Sequence, residues 1–176
     1  TLALISGTSN CHMLCSEQEI HTPGVWGPYW SAMLPGYWLT EGGQSAAGAL
    51  VDWTLQESGA SAALFHKAEA RGCHPIVLVN EWVAALEALE PEPGRYLHVL
   101  ADHHGNRSPR ARPDARGSVC GLTLERGEMQ VARLYLATLQ AIACGTRHIM
   151  EVMRENGHTI SRLTLCGGAT HNPLWL

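Results

Sequence analysis

The sequence predicts an α/β domain, a mixed sheet flanked by helices, and three features carry that prediction. Two short apolar runs, Thr1 to Ser6 and Cys11 to Cys15, flank Gly7-Thr8-Ser9-Asn10, which has the composition of a tight hairpin turn. Several longer stretches repeat their apolar residues at helical spacing. After the longest of these a third apolar run, Leu163 to Cys166, ends in Gly167-Gly168, the pattern of a buried strand leading into a new turn.

Taken in chain order, the first two runs are strands paired through their turn. Residues 22 to 43 are rich in Gly, Pro, Trp and Tyr, so this stretch is expected to be irregular with at most one strand. Ser45 to Ser58 follows as a helix with Ser45 as its N-cap. Ala62 to Arg71 is a second helix, and Pro75 to Leu89 a third. The third opens on a proline at its first position and carries Val79, Trp82, Val83, Leu86 and Leu89 on one side, before the segment 90 to 94 stops it. Tyr96 to Leu100 is a short strand, and the loop from Asp102 to Arg116 is too long for a mere connection. The longest helix runs from about Glu128 to Asn156 with a broad apolar face, and Gly157 is placed to end it. Past Gly167-Gly168 another helix is expected to begin.

At 176 residues the chain suits one domain, since about 70% of the unfolded surface can be buried at this size. Hydrophobic residues make up 45% and charged residues only 16%, low enough to imply that part of the surface is covered by another domain. A net charge of −4 with scattered basic residues lacks the footprint that nucleic acid requires. The six cysteines follow no disulfide framework, and neither a secretory signal nor a membrane-length apolar run is present, so a reduced, cytoplasmic protein without membrane or nucleic-acid partners is expected. The chain starts inside an apolar run and stops at Leu174-Trp175-Leu176, and a fragment of a longer protein is the expectation.

Lys67 is the only lysine and sits in LFHKAEARG, so neither a Walker A loop nor a protein-kinase lysine strand can be built. No G-x-S-x-G, H-E-x-x-H or paired C-x-x-C occurs, which removes common hydrolase and zinc readings. His12, His103 and His104 with Asp102 lack the spacing of a metal site, and none is expected. The six tryptophans are read as core and interface packing, with Trp26 and Trp30 as the two that sugar stacking would use. Two glycine clusters remain. In GTSN the backbone N–H groups can point at an anion while the hydroxyls of Thr8 and Ser9 add donors. In GGATHN, residues 167 to 172, Gly167 and Gly168 allow close approach of a flat ring and Asn172 can hydrogen-bond it. Either cluster taken alone is also an ordinary turn.

In order, the segments GTSNCHM, PGVWGPYWSAMLPGYWLTEGGQSAAGALVDW, HGNRSPRARPDARGSVCGL, YLATLQAIACGTRHI and LCGGATHNPLWL resemble the C-terminal domain of the FGGY carbohydrate kinases. The resemblance covers nearly the whole chain and is nearest to ribulokinase-like, pentulose-phosphorylating members, where GTSxCHM, EGGQS and GNRSP take this form. It implies a ribonuclease-H-like fold of the actin and hexokinase type, with residues 1–176 forming the nucleotide-binding domain, and ATP with Mg²⁺ bound against an N-terminal domain of the same chain. A homodimer is compatible with it but not required.

Carried over by motif, Gly7, Thr8 and Ser9 would meet the β- and γ-phosphates, and Gly167, Gly168 and Asn172 the adenosine. The family pattern GxxxQ falls on Gly48 and Asp52, where an ionised aspartate can only accept hydrogen bonds and the usual glutamine can also donate. Glu41 in EGGQS is the candidate sugar contact, its plain alternative being an acid in a turn. Arg107 either faces the phosphates or braces the long loop, and bracing is the expectation. Arg133 stands where the family usually has a polar, non-basic residue, in a region read as packing. The general base of the family, an aspartate, would precede Thr1. No catalytic residue is therefore expected within the chain, which alone should not turn over. A non-catalytic, actin-like nucleotide-binding module is the alternative.

Overall fold

Alternation puts Leu2 and Leu4 on one face of the first strand, β1 (Leu2–Ser6), and Leu14 on the matching face of the second, β2 (Asn10–Ser16), and all three are buried. The computed structural model, which describes residues 1–176, pairs the two strands antiparallel with Ser6 opposite Asn10, leaving Gly7, Thr8 and Ser9 as the turn. The stretch expected to be irregular instead contains two strands, β3 (Trp26–Trp30) and β4 (Trp38–Gln44). β4 lies within the sheet and pairs with β2 along its whole length, from Ser16 opposite Trp38 to Asn10 opposite Gln44.

Helices follow as α1 (Gly48–Glu57), α2 (Ser61–Ala70) and α3 (Pro75–Leu89). A small separate sheet joins β5 (His98–Leu100) to β6 (Ser118–Cys120), with the long loop between them. Then come α4 (Glu128–Glu155) and β7 (Leu163–Cys166), the latter parallel to β1. Two short 3₁₀ turns, Gly168–His171 and Pro173–Trp175, replace the expected final helix. Pro173 supplies no N–H, which ends the first turn before it lengthens. The main sheet runs β3-β4-β2-β1-β7.

Its two faces differ. On one, α4 lies directly against the strands, and Ile149 and Met153 join Leu2, Leu4 and Leu14 in a buried cluster. A larger cluster unites all four helices through residues such as Leu50, Val79, Val83, Val131, Tyr135 and Ile142. Each such side chain taken from water contributes about 1.5–3 kcal/mol. The other face of β2 and β4, bearing Cys11, Met13 and Glu41, has no helix over it. Two glycines let β4 fit between these sides. A Cβ at residue 42 would stand 2.7 Å from Ile149 Cγ2, and one at residue 43 would stand 2.6 Å from Arg107 Cδ. No helix is long and apolar enough to cross a membrane.

Candidate functional site

The first amides of a helix need acceptors, and Ser45 does not provide one. Ala47 is the N-cap residue and makes no side-chain cap. The hairpin turn does the capping with its carbonyls: Ala47 N and Ala49 N donate to Thr8 O at 2.9 and 3.1 Å, and Gly48 N donates to Gly7 O at 2.9 Å. This docks the turn onto α1 and explains the glycine at 48, where a Cβ would lie 2.6 Å from Gly7 O. Gly7 N donates to Ser9 O within the turn at 3.0 Å. The amides of Thr8 and Ser9 make no internal bond, and neither do their hydroxyls. The result is a rigid turn with outward donors, the arrangement that takes an anion.

From below, a chain of buried side chains fixes this turn. Ser6 Oγ donates to Asn10 Oδ1 (2.6 Å), Asn10 Nδ2 to Gln44 Oε1 (2.7 Å) and Thr146 Oγ1 to the same oxygen (3.1 Å). With its proton so placed, Thr146 accepts from His12 Nε2 at 3.0 Å. Gln44 Nε2 continues to the Ile142 carbonyl of α4 at 2.9 Å, in space left by Gly145, where a Cβ would meet that nitrogen at 2.2 Å. Burial holds the His12 ring down at about pKa 4, against the pull of the Gly42 backbone toward the charged form.

Gly7, Thr8, Gly48, Asp52, Gly168 and Asn172 line one cavity of about 510 Å³, closed on its other side by α3 through Ile76 and Val77 and by Trp175. Four segments distant in sequence thus meet at one place, and the volume suits a nucleotide-sized molecule. Gly167 and Ser9 stand outside the lining. Gly167 has φ +95° and packs so closely that a Cβ would lie 2.3 Å from Ser6 O, so it lets β7 turn beside β1. Asn172 is 4% exposed, and its amide works inward. It donates to Tyr135 Oη (2.7 Å), Tyr135 donates to Asn80 Oδ1 (3.0 Å), and Asn80 Nδ2 returns to Asn172 Oδ1 (2.9 Å). The same oxygen accepts from Leu174 N. This closed ring staples the wall of the cavity to α3 and α4. Burial raises the Tyr135 hydroxyl to about pKa 12, with Asn172 opposing. Reasoning from sequence missed Asn80 and Tyr135, whose apolar neighbours at helical spacing gave no polar signal, and His74, which caps α3 by accepting from Ile76 N at 3.2 Å.

Glu41 is not in a turn. It lies in β4 opposite Met13 and Trp26, because Gly42 and Gly43 are there to admit α4 and Arg107 rather than to bend the chain. Arg107 does not brace the loop with its side chain. The loop is held by backbone and Asx bonds instead, Ser108 N to Gly43 O at 3.0 Å and Asn106 to Arg112 in both directions at 2.8 Å. Arg133 pairs with Glu90 and with Glu125 (2.8 Å), joining the end of α3 to the start of α4. His12 faces α4, and His103 packs tilted against Trp53 with ring centres 5.0 Å apart and planes at 49°. No group of three His, Cys, Asp or Glu side chains is placed to share a metal ion. Among the tryptophans only Trp82 is core, at 7% exposed, while Trp26, Trp30 and Trp53 are 48%, 57% and 47% exposed. The six cysteines are free thiols.

Residues 2–176 match the FGGY family of carbohydrate kinases, C-terminal domain. An FGGY carbohydrate kinase domain-containing protein of Xenopus laevis is 51% identical over 99% of the chain and 32% of its own length. A D-ribulokinase of Saccharomyces cerevisiae is 35% identical over 98% of the chain and 25% of its own length. The chain therefore spans about a third or less of these relatives. Among solved structures, a xylulose kinase from Rhodospirillum rubrum superposes with a TM-score of 0.75 at 22% identity, covering 99% of the chain and 31% of its own. That likeness is one of fold, a mixed sheet flanked by helices.

Proposed function

The chain belongs to the FGGY family of carbohydrate kinases, and we propose that it forms the nucleotide-binding part of an ATP-dependent kinase that phosphorylates a pentulose or related polyol, with ribulose favoured. One observation carries this reading above the others: the turn at 7–8, the start of α1 and the Gly168–Asn172 turn converge on a single cavity. The yeast relative named a D-ribulokinase supports the choice of sugar.

In this reading Thr8 donates to the terminal phosphates, with Gly7 holding the turn to α1 and Ser9, outside the cavity lining, closing the turn through its carbonyl. Gly48, Gly168 and Asn172 shape the adenosine wall without donating much themselves. Gly167 acts through backbone shape. Asp52, acceptor-only, suits a ribose, whose hydroxyls donate. Glu41 suits the acceptor sugar for the same reason, because one carboxylate can accept from two vicinal hydroxyls. Magnesium fits as a counter-ion carried by the phosphates and water, since Asp52 is the only carboxylate lining the cavity and such ions need few protein ligands. When bound it would neutralise phosphate charge. The base that takes the sugar proton is a carboxylate expected upstream of Thr1. Six free thiols accord with a reducing, cytoplasmic location.

The test is a coupled ADP-release assay of the full-length protein against ribulose, xylulose, ribitol and arabinitol, with the Thr8→Val variant alongside. Sugar-dependent turnover that falls in the variant supports the reading. Nucleotide binding without turnover on any polyol would turn it toward a non-catalytic module.

A further inference from the structure

Phosphoryl transfer concentrates negative charge where the acceptor oxygen meets the terminal phosphorus, so a site for it needs a cation there. The cavity lining holds neither lysine nor arginine. Lys67 is paired with Glu128 far from the turn, and the arginines at 71, 95, 112, 133 and 147 are engaged with carboxylates. Arg116 and Arg154 donate to backbone carbonyls, and Arg110, Arg126 and Arg162, also outside the ion pairs, are exposed. Arg107 joins no ion pair, its guanidinium donates no hydrogen bond, and it alone of these four is half-buried. Five donors in a fixed fork are left without a partner within the chain.

Its position is set firmly. Arg107 Cδ and Nη1 would lie 2.6 and 3.1 Å from a Cβ at residue 43, so Gly43 is what lets the side chain lie flat on the strand. The guanidinium carbon sits 5.1 Å from the centre of the Trp26 ring, a stacking that orients the fork. The loop beneath is closed on itself, with Asn106 Nδ2 on Asp102 Oδ1 at 2.9 Å and Arg110 N on Asn106 Oδ1 at 3.1 Å. Gly43 lies opposite Cys11, two residues beyond Ser9 along β2, and two residues beyond Glu41 along β4. At the rise of a strand each interval is about 7 Å. The point of the sheet on which Arg107 lies, Gly43, thus falls midway along the strands between Ser9 and Glu41. The Cys11 thiol senses both charges: burial raises it most, Glu41 raises it further and Arg107 lowers it.

We propose that Arg107 is a catalytic residue of the transfer step, its guanidinium meeting the terminal phosphoryl group as that group leaves the nucleotide for a sugar hydroxyl held at Glu41. The inference rests on the kinase reading given above. In the step the bond from the terminal phosphorus to the β-phosphate oxygen breaks and a bond to the sugar oxygen forms. The hydroxyl proton goes to a carboxylate base elsewhere in the full-length protein, and ADP leaves with the electron pair. Arg107 exchanges no proton and stabilises the charge in flight.

The test compares full-length wild type with Arg107→Gln and Arg107→Lys. Arg107→Gln should lower kcat by about 100- to 1000-fold, with KM for ATP and sugar each within about threefold and the urea midpoint unchanged. Arg107→Lys should recover part of the loss. Calorimetry adds a readout that a structural role would not give: ADP alone should bind both proteins equally, whereas ADP with aluminium fluoride and sugar should bind Arg107→Gln far more weakly. A kcat within threefold of wild type, a defect confined to the sugar KM, or a loss shared by ADP affinity and the urea midpoint would each overturn the assignment. If wild type itself transfers phosphate to no polyol, the kinase reading fails and takes this inference with it. If wild type is active and the variant equals it, only the role of Arg107 fails.

Discussion

Acidification should unfold this domain through His12 before any carboxylate is involved. The ring is fully buried between β2 and α4, its Nε2 donates to Thr146 at 3.0 Å, and its pKa falls from 6.5 to about 4. Below pH 6.5 the unfolded ring takes up a proton and the folded ring does not, so the unfolded state binds more protons and stability drops as pH falls. The loss is complete only near pH 4. A shift of that size corresponds to about 3 kcal/mol, of which about 2 kcal/mol lies between pH 7 and pH 5. His103 and His158 are also pushed down by burial and steepen the fall in the same window. The assay is urea unfolding of the full-length protein at pH 7, 6 and 5, comparing wild type with His12→Gln, which retains a donor for Thr146 but cannot titrate. The variant should be less stable at pH 7, and the gap should narrow by about 2 kcal/mol at pH 5. A gap independent of pH, with unchanged urea slopes, would refute the reasoning, because His12 would then not be the buried titrating group.

Two further perturbations test the frame of the cavity. Gly48→Ala places a methyl 2.6 Å from Gly7 O and should cost about 1–3 kcal/mol by overpacking, while nucleotide affinity measured by calorimetry falls as the turn lifts from α1. Tyr135→Phe removes the hydroxyl that accepts from Asn172 and donates to Asn80 while their direct bond remains, leaves polar atoms unpaired, and should destabilise by about 1–3 kcal/mol in urea titration.

Sequence pattern located the elements whose signals are local. The β1–β2 hairpin carries its own turn, α3 opens on Pro75, and α4 ends where Gly157, at φ +97°, follows Asn156. The strand β4 was illegible because glycine pairs weaken strands on average, and its two glycines answer to Ile149 and Arg107, more than sixty residues away in the chain. The same distance hid the capping of α1, whose acceptors lie on the turn some forty residues earlier. For the cavity, GTSN and GGATHN were legible as glycine clusters, yet which members line it was not. Gly167 and Gly168 read alike in sequence, and only the packing of Gly167 against Ser6 O separates them.

The two sides of the site are mechanically one object. Gln44 ends β4, the strand that carries Glu41 and underlies Arg107, and its side-chain oxygen takes the Asn10 and Thr146 protons while its nitrogen reaches α4. Asn10 in turn closes the strand pair next to the Gly7–Ser9 turn through Ser6. Movement of α4 relative to the sheet would thus displace the turn and β4 together rather than separately, since the shared oxygen of Gln44 cannot follow one partner without losing the other. On the proposed reading, this coupling would hold the turn and Glu41 in one frame, which is the requirement an in-line transfer places on its scaffold. Small residues at 42, 43 and 145 make this close approach possible, so the glycines of β4 and α4 tie the sheet to α4 as Gly48 ties the turn to α1.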